Sequence, residues 1–193
     1  MMMIDEDAET VLDPETARWA DLIPQMRRLR MSGRVKRWHT VPIHGEQTVA
    51  EHCAQAMSLL LLIHPNPSIN LVKCVLWHDS EELILGDMPA NGKNAYPAVR
   101  EAMANAEVSA RHQTPEYRRA RDALSREDEL WIKFVDVLEF LMFAADQLAL
   151  GNTHASTWID RGIEYVSVMK LPREAASFWD AMLIFIHEPV RVL

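Results

Sequence analysis

The sequence predicts an all-α fold, a single helical bundle, on three observations. Apolar residues recur at three- and four-residue spacing along most of the 193 positions. Sustained period-two alternation is absent, and the strongest helix breakers gather in one stretch, Gly86 to Pro97. The length suits one compact domain with one sizeable core. With 49% hydrophobic and 25% charged residues, the composition is that of a soluble globular chain. The division expected is an acidic, frayed leader over 1–14 and a single domain over 15–193.

Periodicity places helices near 15–31, 46–63, 68–85, 97–112, 125–150, 155–170 and 172–187. Ser125 with Asp128 reads as a capping box, Ser68 can cap the third helix, Pro172 suits a first helical turn, and Gly151-Asn152 can end the long helix. Pro65-Asn66-Pro67 reads as a tight interhelical connection, and Gly86–Pro97 as a loop. Met26, Met57, Met103, Met142, Met169 and Met182 fit helical core positions. Cys53 and Cys74, the two cysteines, form no C-x-x-C pair and fit the core as small side chains. In the last helix Phe178, Trp179, Ile184 and Phe185 could close the core or meet another subunit.

The formal net charge is −8, from 20 basic and 28 acidic residues, which argues against a nucleic acid polymer as partner. A small anion needs only a local patch, and Arg27, Arg28, Arg30, Arg34, Lys36 and Arg37 lie close together. A solvated, helix-supporting charged face is the competing reading for most of them. The leader is acidic where a signal peptide would be basic, and the longest apolar run, Leu59 to Ile63, cannot span a bilayer. A cytoplasmic location and no membrane partner are therefore expected, in the host cytoplasm if the chain is phage-encoded.

Three polar anomalies carry the chemistry. His78-Asp79 interrupts an apolar helix, Asp136 interrupts the most hydrophobic helix of the chain, and His52 lies between apolar turns of a third. A buried carboxylate is costly unless it is paired or bound to a cation. Taken alone, a His-Asp dipeptide is better read as a satisfied core histidine with its neighbour. Three such sources on three helices point instead to one ion held in a bundle. Asp136 is expected to face inward with Ile132, Glu139 and Phe143. Glu82 lies one turn beyond His78 on nearly the same face, whereas Glu81 reads as a surface carboxylate. His39, His44, His64, His112, His154 and His187 have no ligand spacing and read as structural.

The order His52, His78-Asp79, Asp136 resembles the H…HD…D pattern of the HD-domain phosphohydrolases. Arg37-Trp38, Thr48-Val49-Ala50-Glu51-His52, Glu82, Gly86-Asp87-Met88-Pro89 and Lys93 resemble the bacterial 5'-deoxynucleotidases and the phage enzymes that convert dATP to deoxyadenosine and triphosphate. The resemblance covers roughly residues 27 to 150. It departs from the bacterial pattern in its shorter His52 to His78 interval of 26 residues and in its acidic leader.

The resemblance implies an HD-type bundle with a divalent transition metal, Zn, Co, Mn, Ni or Fe, held by His52, His78, Asp79 and Asp136, and further divalent ions accompanying the phosphates. It implies that Glu82 moves a proton, and that Arg37 and Lys93 stabilise charge on the phosphoryl group. Trp38 would wall the sugar, and Asp87 would accept from the 3'-hydroxyl or else stabilise the 86–97 turn. The substrate implied is a small deoxynucleotide. The Arg37-Trp38-His39-Thr40 and Gln47–His52 runs favour dATP over a deoxynucleoside monophosphate, and a homodimer or hexamer is implied. The competing readings are a catalytically silent, metal-stapled regulatory module and a hydrolase of alarmones or cyclic nucleotides. Glu82, Arg37 and Lys93 argue against the first, and the Arg37-Trp38 pair against the second.

Overall fold

The computed structural model describes residues 13–89 and 95–185. Lys93, residues 1–12, and the end of the last predicted helix with His187 lie outside the described residues. Helix α1 (Pro14–Ser32) opens where Asp13 Oδ1 accepts from the amides of Glu15 at 3.0 Å and Thr16 at 3.1 Å, with Pro14 in the first turn. Helix α2 (Val49–Ile63) starts at a full capping box between Thr48 and Glu51, three residues later than periodicity predicts. Ser68 caps α3 (Ile69–Trp77), and a short α4 (Glu82–Leu85) follows. Then come α5 (Pro97–Arg111), α6 (Pro115–Asp122), α7 (Arg126–Ala149), α8 (Ala155–Ser167) and α9 (Arg173–Phe185).

The core forms along α7, which packs against α8 on one side and α2 on another, while α3 bridges α2, α6 and α7. Trp131, Phe134, Leu138 and Leu141 of α7 are fully buried with Leu60, Leu71, Val75, Tyr117 and Ile159. Burial of such side chains supplies about 1.5–3 kcal/mol each before chain entropy is counted. Ser125 and Asp128 form the expected box at the start of α7, and Gly151, at φ 94°, ends it in the left-handed region open to glycine. In α9, Ala175, Phe178, Trp179 and Met182 close the core, and Ile184 remains 69% exposed.

Several expectations need correction. The predicted helix 68–85 is broken: residues 78–81 form tight turns, with Ser80 N donating to Trp77 O and Glu82 N to Asp79 O. Helix α6 was not predicted, because eight residues with only Tyr117 and Ala120 buried show little periodicity. Pro172 stands just ahead of α9, its carbonyl accepting from Ala176 N. Met26 is 66% exposed, because α1 lies on the rim of the bundle and touches chiefly α4.

The connection from Gly33 to Gln47 is pinned at both shoulders. An isolated β-bridge joins Lys36 to Thr48, and it is the only strand-like pairing among the described residues. Farther along, His44 exchanges two hydrogen bonds with the buried Gln147 side chain, and Asn152 Nδ2 donates to Pro42 O. This ordered loop carries Arg37 to Asp79 and Trp38 onto Phe140 and Phe143 of α7. The side chains of Arg27, Arg30, Arg34 and Lys36 are exposed, as a solvated face requires, and Arg37 alone turns towards the cluster described next.

Candidate metal centre and active site

His52 sits one turn into α2, where the capping box fixes the backbone, and its ring is fully buried. His78 and Asp79 follow the last residue of α3, inside the tight turns. Adjacent residues of a continuous helix point about 100° apart. The break lets both reach one centre. Asp136 arrives from the middle of α7.

His52 Nε2 lies 3.0 Å from His78 Nε2, 3.1 Å from Asp136 Oδ1 and 3.6 Å from Asp79 Oδ2. His78 Nε2 lies 3.4 Å from Asp79 Oδ1 and 3.7 Å from Asp136 Oδ1. His52, His78 and Asp79 thus bring ligand atoms within 4.8 Å of one another, and Asp136 Oδ1 lies beside both imidazoles. Asp136 is not sealed in the core as periodicity suggests: its side chain is 42% exposed, because it faces the opening of the cluster.

The outer ring nitrogens decide what this volume accepts. His78 Nδ1 donates to Val75 O at 2.8 Å, and His52 Nδ1 contacts Glu139 Oε2, a carboxylate that can only accept. Both Nε2 atoms are therefore lone-pair acceptors facing each other, with two carboxylates alongside. Such a surplus of lone pairs is stable only around a proton or a cation. Two imidazoles and two carboxylates are suitable ligands for a divalent transition ion, so the residues fit the metal.

The protonation of the metal-free cluster follows. Burial disfavours charge on His78, but Asp79 and the hydrogen bond to Asp136 hold its imidazole well above the usual value. Burial likewise opposes charge on His52, and its bonds to Asp136 and Glu139 raise it nonetheless. Burial would lift the Asp136 carboxyl, yet the two histidines hold it well below the ordinary carboxylate range.

Arg37 reaches in from the loop, and one of its terminal nitrogens pairs with Asp79 Oδ2. Desolvation opposes the guanidinium charge, and Asp79, Asp136, Glu82 and Asp87 together stabilise it. Beside it a cavity of about 190 Å³ is lined by His78, Asp79, Glu81, Glu82, Leu85, Gly86, Met103 and Glu107. Burial first, then the nearby Asp79 charge, pushes the Glu82 carboxyl up to about 8. Two buried polar atoms in this region have no hydrogen-bond partner, Glu82 Oε2 and Arg37 Nε. Asp87 faces His39, with Oδ2 3.5 Å from Nδ1.

Trp38 adopts φ 63°, a left-handed backbone unusual for a bulky residue. Its indole stacks on Phe140 and Phe143 with centroids 5.3 and 5.0 Å away, and meets Trp158 at 4.9 Å. Sequence reasoning misplaced Glu81, which is buried and paired with Arg111 rather than exposed. Glu139 is buried on the expected inward face, but its partners, Gln47 and the His52 ring, were not anticipated. A carboxylate three residues beyond Asp136 on an apolar helix was the available signal. Cys53 is buried as expected, with Sγ 3.6 Å from His78 Nδ1.

The family model described as 5'-deoxynucleotidase YfbR-like matches residues 22–184. Among solved structures, the HD phosphohydrolase DatZ of cyanophage S-2L, bound to dA and one catalytic Zn²⁺ ion, superposes with a TM-score of 0.61 at 19% identity, covering 83% of this chain and 92% of that one. An HD-domain phosphohydrolase from Listeria innocua gives 0.65 at 19% identity, covering 83% and 87%, and the PH0347 protein from Pyrococcus horikoshii gives 0.63 at 15% identity, covering 84% and 96%. These likenesses establish a shared fold. None of the curated proteins matches the chain in sequence.

Proposed function

We propose that this chain, which belongs to the YfbR-like 5'-deoxynucleotidase family, cleaves the bond between the 5'-oxygen and the α-phosphorus of a deoxynucleotide at a divalent metal held by His52, His78, Asp79 and Asp136. The observation that carries the reading is the pair of lone-pair nitrogens facing each other at 3.0 Å between two carboxylates. A divalent ion bound there supplies Lewis-acid charge to the phosphoryl group and acidifies the attacking water.

The chain's own residues supply the rest. Arg37, already paired with Asp79, offers its planar fork to phosphate oxygens and stabilises the charge that grows in the transition state. Lys93, by its place in the sequence pattern, adds a second positive charge. Glu82 carries the proton that the leaving 5'-oxygen needs; support comes from its buried Oε2, which has no other partner. Asp87, held near His39, accepts from the 3'-hydroxyl, and Trp38 walls the sugar.

The favoured substrate is dATP, giving deoxyadenosine and triphosphate. The Arg37-Trp38-His39-Thr40 run and the fold shared with a dA-bound phage enzyme support it. A monophosphate substrate uses the same cleavage and is the second reading, favoured by the family description. The reading includes a homo-oligomer, for which Ile23 and Met26, 49% and 66% exposed on α1, offer apolar surface, and a cytoplasmic setting. Zinc-, manganese- or cobalt-loaded protein incubated with separate dNMP, dNTP and NTP panels tests it by chromatography. Triphosphate released from dATP alone is expected. Phosphate from monophosphates only selects the second reading, and no turnover with any metal overturns both in favour of a silent metal-stapled module.

A further inference from the structure

Behind the metal-facing nitrogen of His52 runs a buried chain of polar side chains that ends at the aromatic wall. Trp38 Nε1 donates to Gln47 Oε1 at 2.7 Å, Gln47 Nε2 donates to Glu139 Oε1 at 2.7 Å, and Glu139 Oε2 contacts His52 Nδ1. Gln47, Glu139 and His52 are 3%, 2% and 0% exposed, so water does not substitute for any of these partners. Residue chemistry fixes the direction of the chain. The indole nitrogen can only donate, so Gln47 must turn its oxygen to Trp38 and its amide nitrogen to Glu139. The ionised carboxylate can only accept, so His52 must hold its proton on Nδ1 and present a bare Nε2 to the cluster.

We propose that Glu139 and Gln47 are positioning residues: they fix the tautomer and ring orientation of His52 and tie the metal centre to the indole of Trp38, so that the nucleoside wall and the metal share one rigid frame. The inference rests on the metal site and on Trp38 facing the nucleoside, and it adds residues that neither requires. A carboxylate behind a ligating histidine raises the basicity of the ligand and sets its angle, and loss of such a partner commonly weakens metal affinity about 10- to 100-fold. The strained backbone of Trp38 gains a purpose here, because it aims the indole N–H at Gln47 while the ring faces stay on the aromatic stack.

In Glu139→Gln the new amide either meets Gln47 or His52 donor to donor, with turning Gln47 over moving the clash to Trp38, or drives the His52 proton to Nε2, which removes the lone pair the metal needs. Combining it with Gln47→Glu restores a continuous order of donors and acceptors with the same net charge. Zinc affinity by chelator competition is expected to fall tenfold or more in Glu139→Gln and to recover most of that loss in the double variant.

Gln47→Met, which leaves Glu139 and His52 facing each other, is expected to weaken zinc several-fold and to raise KM for the deoxynucleotide more than it lowers kcat. It decides the matter should Glu139→Gln fail to give a native circular dichroism spectrum. Affinity unchanged in Glu139→Gln, a loss that the double variant does not relieve, or Gln47→Met indistinguishable from wild type would overturn the relay. Wild-type protein that binds no zinc would instead overturn the metal site itself.

Discussion

A left-handed backbone at a bulky residue costs about 1–3 kcal/mol and persists only where the surroundings hold it. Trp38 is held by three rings, by its indole hydrogen bond to Gln47 and by the Val41 amide donating to its carbonyl. Glu82 is the other residue whose environment is costly, a buried carboxyl with one unpartnered oxygen. Glu82→Ala is expected to retain metal, measured by elemental analysis after desalting, while turnover falls about 100- to 10,000-fold; undiminished rates would remove Glu82 from the chemistry. His52, His78, Asp79 and Asp136 stood out in the sequence because each interrupts an apolar run, although His78 and Asp79 lie in the turns after α3; the structure groups the first three and sets Asp136 Oδ1 beside the two imidazoles. The pairing of Gln47 with Glu139 escaped notice because 92 residues separate them and no local pattern joins them.

At the scale of elements, periodicity found the long helices among the described residues, most firmly α2, α7 and α8, which bury apolar faces against one another. It failed where local hydrogen bonding overrides spacing. The apolar rhythm of 68–85 runs straight through His78–Glu81, and only the tight turns there reveal why two consecutive residues can both act as donors. The contact between α7 and α8 shows how little slack the bundle has. A methyl group at Gly162 would sit 2.5 Å from Leu141 Cδ2 and 3.3 Å from the Phe140 ring, and Leu141 is fully buried. Gly162→Ala is therefore expected to lower stability by about 1–3 kcal/mol in denaturant melts, despite alanine's better helix propensity. A gain in stability would mean that the crossing relaxes freely. Phe140 also stacks on Trp38, so a raised KM in this variant would mark strain transmitted to the nucleoside wall.

For the whole molecule, metal-free stability should depend on pH with a definite sign. The Glu82 carboxyl moves from its ordinary 4.5 to about 8, chiefly through burial. Between those values the folded protein keeps a proton that the unfolded chain has released, so stability declines as pH rises. The raised imidazoles of His52 and His78 act the same way, their contribution being complete below the ordinary 6.5 and lost as pH climbs through their folded values. After chelation, the melting temperature should fall from about pH 5.5 to about pH 8, and Glu82→Gln should flatten that slope. Zinc, whose ligands must be deprotonated, should oppose the trend, and a flat profile in metal-free wild type would contradict the charge arrangement described above.

The loop from Gly33 to Gln47 is fastened by backbone groups and by Gln147 and Asn152, with an outward ion pair between Lys36 and Glu46 bracing it. The outward side chain of His44, whose hydrogen bonds run through its backbone, can therefore be recoded without disturbing how Arg37 and Trp38 are presented, whereas Gly45, at φ 77°, takes no side chain without strain. That makes His44 a natural attachment point for a label or tether that leaves the hydrolytic chemistry intact.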